Sequence, residues 1–194
     1  MNVRPLTRAD LDQVMHLLEG VIEPSDPGQL DPYLSAPSAA NRFGSGLVAE
    51  DHGKVVGVVA GAGIKLTVAG LEVSEEEITQ RIGLLDVLAV HPGHRRTGVG
   101  SLLRDHLLDR LRDVGHCLVM ANLAVGRRDL VPIYAAWGWT VGNPGAGIAI
   151  QIGSEPLALA EDPGTRVAWT ALAPEVRLDS TLLPGASIVA GVFT

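Results

Sequence analysis

Residues 82–115 read IGLLDVLAVHPGHRRTGVGSLLRDHLLDRLRDVG. The first nine, Ile82–Val90, are apolar except for Asp86, a length and character that suit a strand buried on both faces. Alternation along such a strand puts Asp86 on one face with Leu84 and Leu88. His91-Pro92-Gly93 stops it. From Ser101 to Val114 the period changes: Leu103, Leu107, Leu111 and Val114 recur at helical spacing, while Arg104, Asp105, Arg110 and Arg112 hold the other side. Gly115 then stands where a left-handed C-terminal cap is needed. A buried strand, a glycine-containing turn and an amphipathic helix make an α/β unit.

The pattern continues outward in both directions. Upstream, Asn2–Leu6 suits a short strand, and Thr7 with Asp10 forms a capping arrangement ahead of a helix whose apolar face is Leu11, Val14, Leu17, Leu18 and Val21. Glu23–Ser45 is rich in Pro, Ser, Gly and Asp and reads as loop with room for a short helical piece. Leu47–Glu50 and Val55–Ile64 flank Asp51-His52-Gly53-Lys54, which is hairpin chemistry. Val68–Glu77 reads as a connection. Downstream, Cys117–Val125 suits a second buried strand, and Asp129 caps a short helix through Trp137, with Pro132 tolerated in its first turn. Gly138 ends that helix. Ile148–Ile152, Val167–Leu172 and the apolar run Ala186–Phe193 are further strand candidates. The order β-α-β-β-β-α-β-α-β predicts one α/β (α+β) domain over residues 1–172, with a C-terminal extension over 173–194 packed on the same domain.

Bulk properties narrow the function classes. At 194 residues the chain fits the ~100–200 residues of a single domain. The formal net charge of −7 offers none of the long cationic surface that nucleic-acid affinity requires. One cysteine, Cys117, cannot form an internal disulfide, and no Cys/His cluster has zinc spacing. The amino-terminal residues lack the apolar core of a signal peptide, and Val55–Ile64 is too short to span a bilayer. These features predict a cytoplasmic protein with no metal, no nucleic-acid partner and no membrane contact.

The turn in the opening stretch carries the chemistry. Arg95-Arg96-Thr97-Gly98-Val99-Gly100 lies between strand and helix, where glycine lets a ligand approach the main chain closely. The first helical turn presents N–H groups without intrahelical acceptors and the positive end of the helix dipole. With two arginines alongside, this is an anion site suited to phosphate. A Walker A loop requires a lysine here, and the only lysines are Lys54 and Lys65. The dinucleotide pattern Gly-x-Gly-x-x-Gly fails because Gly98 and Gly100 are followed by Leu103.

Arg95, Gly98 and Gly100 match instead the [Gln/Arg]-x-x-Gly-x-[Gly/Ala] motif, and the segment resembles the pyrophosphate-binding region of the GNAT acetyltransferases. Around it stand a Leu-Ala-Val-His-Pro strand end and, later, Ile133-Tyr134-Ala135-Ala136-Trp137-Gly138-Trp139, similar to that family's Tyr-x-x-x-Gly-Phe signature with Trp139 in the aromatic place. The resemblance implies the GNAT fold: a central mixed, mostly antiparallel twisted sheet flanked by helices. It implies acetyl-CoA as co-substrate, and an N-acetyltransferase that passes the acyl group to a primary amine by direct attack. The acceptor expected is a small molecule; a peptide or protein amino terminus, or a non-catalytic CoA-binding module, are the alternatives. A homodimer is also expected, since an exposed strand in this family often mediates one.

The same resemblance assigns residues. Leu88, Ala89 and Val90 offer main-chain groups to the acetyl carbonyl and pantetheine; Arg95, Arg96, Thr97, Gly98, Val99, Gly100 and Ser101 hold the pyrophosphate. Asn122 matches a polar position that faces the pantetheine. Tyr134 matches the tyrosine that protonates the departing thiolate, a role a phenol protonated at neutral pH can fill. The amine must lose a proton, and Asp86 is the candidate base, with burial on its strand raising its proton affinity. His91 and His94 read as loop histidines, His16, His52, His106 and His116 as exposed or edge positions, and Cys117 as a small core residue.

Overall fold

The computed structural model describes residues 1–19, 27–34, 44–63, 82–146, 148–152, 155–159, 162–174, 176–179 and 187–191. The chain divides into two compact units, one formed by Met1–Ile64 and Gly83–Gly115, the other by Lys65–Ile82 and His116–Thr194.

The first unit is an antiparallel ladder of β1 (Asn2–Pro5), β2 (Ser45–Asp51), β3 (Lys54–Gly63) and β4 (Ile82–Val90). The β2–β3 hairpin turns on His52 (φ 49°) and Gly53 (φ 78°), the paired positive values that match the twist of the flanking strands. Helix α1 (Leu11–Leu18) buries Val14, Leu17 and Leu18 in a cluster with Leu6, Val58, Ala60, Val87 and Ala89. Helix α2 (Val99–Asp113) lays Leu103 and Leu107 against Gly57 and Gly61 of β3. Positions 57 and 61 alternate with 58 and 60, so the two helices cover opposite faces of the ladder. Gly115 ends α2 in the left-handed region (φ 97°), its N–H on the Arg112 carbonyl.

The amino-terminal cap is firmer than its sequence suggests. Asp10 accepts from the Thr7 amide (2.9 Å) and hydroxyl (2.7 Å), and Arg4 adds a two-pronged guanidinium contact at 2.7 and 2.8 Å. Arg4 also donates to Glu50 at 2.8 Å, tying β1 to β2 through side chains as well as main chain.

In the second unit, β5 (Leu118–Ala124) pairs antiparallel with β9 (Thr165–Ala171), and β9 with β6 (Thr140–Val141). Helix α3 (Leu130–Ala136) lies between β5 and β6 in the chain and ends before Gly138 (φ 79°). A separate ladder holds β10 (Val176–Asp179), β11 (Ser187–Gly191), β7 (Ile148–Ile152) and β8 (Glu155–Leu159) in that order. Its β7–β11 pair is parallel, the rest antiparallel. The protein is thus α/β with mixed, mostly antiparallel pairing and flanking helices.

Four expectations need correction. Strand β4 is not buried on both faces: Leu85, Val87 and Ala89 are buried, Leu84, Leu88 and Val90 half-buried, and Asp86 exposed. Its alternation is also broken. Leu85 faces Gly61 and Val87 faces Ala60, so Asp86 is an extra residue in a β-bulge. Leu84 then lies opposite Ala62 and Leu88 opposite Val59, positions on opposite faces of β3, so Asp86 cannot share a face with both. His116, expected at an edge, is buried, because it starts the approach to β5 beside Cys117 in the core. Asp129 makes no side-chain cap to α3; its carboxylate is taken by Arg127 through two contacts of 3.0 Å. Residues 20 and 21 of the first predicted helix, including Val21, and the connection Val68–Glu77 lie outside the described residues.

Candidate active site

The turn that follows β4 is built from its own main chain. The His91 amide donates to the Val56 carbonyl (2.9 Å), fastening the strand end to β3. Pro92–His94 then makes one 3-10 turn, with the His94 amide on the His91 carbonyl (2.8 Å) and the Arg95 amide on the Pro92 carbonyl (3.3 Å). Thr97 closes the next step, its hydroxyl donating to the His94 carbonyl at 2.7 Å. Arg95 folds back so that its Nε donates to the Val90 carbonyl at 3.1 Å.

Two positive φ values carry the chain through the corner, Arg96 at 60° and Gly98 at 92°. The second lies where an L side chain is strained, and Gly98 takes it as the N-cap of α2, with its carbonyl accepting from Leu102 at 2.9 Å. Arg95, Arg96, Thr97 and Gly98 are exposed, whereas Val99 is buried and anchors the helix start. The result is an open corner with two guanidinium groups, leading into the Val99 and Gly100 amides of a helix's first turn. Such a corner fits a diphosphate by charge and by donor direction. The Arg95 amide, spent on Pro92, is not among the donors. Of the nearby histidine nitrogens, His91 Nδ1 accepts from Gly93 and His94 Nε2 sits 3.6 Å from Asp51, while His94 Nδ1 is buried with no hydrogen-bond partner among the described residues. Among the described residues no group of three His, Cys, Asp or Glu side chains is placed to hold a metal ion.

Asp86 lies on the same strand as Leu88–Val90. It is exposed at the bulge and not buried as expected. Its described partner is Tyr33, whose hydroxyl donates to Asp86 Oδ2. Tyr33 ends the 3-10 helix Pro27–Tyr33 and is only 9% exposed. Its phenol is pushed well above the ordinary tyrosine range, first by burial and then by the hydrogen bond to and charge of Asp86. Sequence reasoning missed this residue. The contact spans 53 positions, and its only local sign was the allowance for a short helical piece in Glu23–Ser45.

In the second unit Asn122 sits on β5 opposite Val167, and it is exposed while Leu118–Ala121 and Leu123 are buried. Tyr134, on α3, is 5% exposed. Its ring packs against Trp137 and edge-on against Trp139, both at 5.1 Å between centroids. Burial pushes its phenol up to about 12, so at neutral pH it stays protonated and can donate. Cys117 is buried as a core residue.

The chain belongs to the acetyltransferase (GNAT) family, whose sequence model matches residues 11–139. Members are acyltransferases, and acetyl-CoA is their acyl donor. No curated protein sequence matches the chain. Among solved structures it is similar to the ribosomal-protein-alanine N-acetyltransferase of Brucella melitensis, 18% identical over 89% of this chain and 100% of that one, with a TM-score of 0.60. It is similar also to Chaetomium thermophilum Naa20, solved in complex with a bisubstrate analogue (19% identical, 88% and 86% covered, TM-score 0.60). A third is the aminoglycoside 6'-N-acetyltransferase AAC(6')-IG of Acinetobacter haemolyticus (18% identical, 71% and 90% covered, TM-score 0.55). At these identities the likeness is one of fold.

Proposed function

We propose that this protein transfers an acetyl group from acetyl-CoA to the primary amine of a small molecule, by direct attack within a ternary complex. The observation that carries the reading is the open corner at Arg95–Gly98, with Gly98 at φ 92° as the N-cap of α2. Side chains of Arg95 and Arg96 and the amides from Arg96 to Ser101 hold the diphosphate; Arg95 also fixes the corner to the strand end through Val90. Main-chain groups of Leu88, Ala89 and Val90 align the pantetheine and acyl carbonyl, and Asn122 offers a polar side chain to the same arm. Bound acetyl-CoA supplies an acyl group activated as a thioester. Asp86 takes the proton that the acceptor's ammonium must lose before the amine attacks, the second nitrogen proton replaces the one Tyr134 gives up, and the exposed position of the Asp86 carboxylate suits a cationic acceptor. Tyr134 gives its proton to the sulfur as the carbon–sulfur bond breaks, and its high proton affinity keeps it in the donating form.

The test is acetyl-CoA turnover, followed as free thiol, with kanamycin, spermidine and an alanine-headed peptide as acceptors, alongside calorimetry of CoA binding. Turnover with the small amines supports the reading. Turnover confined to the peptide replaces the acceptor class, and CoA binding with no turnover on any amine replaces the enzyme by a binding module. No heat of CoA binding overturns the assignment of the corner.

A further inference from the structure

We propose that Tyr33 is the positioning residue for Asp86, holding one carboxylate oxygen so that the other meets the protonated amine of the acceptor. The inference rests on the reading of Asp86 as the group that receives the acceptor's proton.

Three observations converge on it. The bulge leaves Asp86 without a partner on β3, which frees its side chain from the regular alternation of the strand. The Tyr33 hydroxyl donates to Oδ2, while among the described residues Oδ1 accepts no hydrogen bond. Tyr33 itself is clamped: its side chain is in the cluster with Leu6, Leu18, Leu30, Val58, Ala60 and Val87, and its backbone lies tight against the start of β2. A Cβ on Gly44 would fall 2.1 Å from the Pro32 carbonyl oxygen, and one on Gly46 2.9 Å from that of Tyr33. A buried ring on a backbone packed this closely against β2 is a rigid donor.

A carboxylate held this way has one orientation. The Tyr33 hydroxyl is a neutral donor and brings no positive charge of its own, so the open oxygen is left to meet an ammonium group. Tyr33 does not compete for the proton, because burial and the adjacent carboxylate keep its own phenol protonated. The charged groups on neighbouring elements of this unit are few. Strand β3 has Lys54 alone, at its first residue; α1 has Asp12 and His16, both exposed. The 3-10 helix has Asp31, which pairs with Arg8 at 3.4 Å. On the opposite face α2 carries Arg104, Asp105, His106, Asp109, Arg110, Arg112 and Asp113.

Two measurements test the inference on the full chain. The first follows the ring Cζ resonance of Tyr33 by carbon-13 NMR at neutral pH in wild type and Asp86→Asn. Loss of the carboxylate acceptor is expected to shift that resonance; an unmoved resonance overturns the proposal. The second is kinetic, with whichever of kanamycin, spermidine or the alanine-headed peptide turns over. Tyr33→Phe is expected to lower kcat/KM for the amine about tenfold, with kcat falling more than KM changes. The dissociation constant for CoA, the control for folding, should stay within about twofold. In an Asp86→Asn background the added Tyr33→Phe should change nothing further, since its effect passes through that carboxylate. A full additional loss there overturns the role of Tyr33. Loss of activity in Asp86→Asn with wild-type kinetics in Tyr33→Phe removes Tyr33 and leaves the base reading standing. Undiminished turnover in Asp86→Asn removes both. If none of the three amines turns over, the Tyr33 resonance alone decides.

Discussion

The Arg95 guanidinium folds back over its own turn and donates from Nε to the main-chain carbonyl of Val90, 3.1 Å away. One side chain therefore joins the end of a strand to the exposed corner that follows it. The rest of the guanidinium still faces outward, because the residue is exposed.

Replacing Arg95 by Ala removes both the clamp and a positive charge. A charge-assisted contact of this kind is worth about 1–2 kcal/mol, so the CoA dissociation constant should rise roughly tenfold. Arg95→Lys keeps the charge and loses the Nε geometry, and should fall between the two. Calorimetric titration with CoA reads both, and an unchanged affinity in Arg95→Ala removes the residue from the site.

Gly98 is the N-cap of α2 at φ 92° with nothing within 4 Å of the position a Cβ would take. Space is not the constraint; backbone strain is. Valine there should cost about 1–2 kcal/mol or more, lowering Tm by about 3–6 °C and weakening CoA binding. Asparagine tolerates the left-handed region better and should lose roughly half as much. A valine variant with wild-type Tm and affinity would show that the corner does not need this conformation.

Tyr134→Phe deletes a hydroxyl and keeps the ring between Trp137 and Trp139. Packing should hold, with Tm within about 2 °C of wild type, while kcat falls roughly 10²-fold or more, the usual worth of general acid catalysis. Equal kcat in the two proteins would assign Tyr134 to the core alone.

Asp10, 4% exposed, is held down to about 2 from an ordinary 3.8, chiefly by the Arg4 hydrogen bonds and further by those of Thr7. A carboxylate lowered in the folded state stabilises the fold above its unfolded value. That contribution is present above about pH 4 and drains away as pH falls toward 2. Its size is roughly 2 kcal/mol. Asp10→Asn should therefore lower Tm at neutral pH by about 5 °C, and flatten the loss of stability between pH 4 and 2. Chemical denaturation across that range measures it; parallel curves for the two proteins would contradict the account.

What the residues disclosed and what they hid divides along one line. Ile82–Val90 and Ile148–Ile152 were legible to the residue, because apolar runs bounded by turn chemistry carry their limits with them. The corner at Gly98 was legible because glycine spacing and arginines are local signals. The bulge at Asp86 was not, since in a nearly unbroken apolar run one extra residue changes no pattern. Tyr33 was hidden because nothing near it in the chain points to a carboxylate 53 positions away. Glu155–Leu159 and Val176–Asp179 escaped notice for another reason: Pro156 interrupts the first, and the second alternates apolar with charged over only four residues, too short a run to mark a strand. Their pairing is set by partners, not by their own composition.

The unpaired residue in β4 has a consequence for how this protein can change over time. Excising position 86 would mend the ladder, letting Leu85 and Val87 follow each other as Gly61 and Ala60 do across from them. Such a shortened chain would gain a smoother strand while forfeiting the carboxylate that the irregularity displays. An unbroken ladder and a displayed acid at this position are therefore alternatives, and the chain has the second.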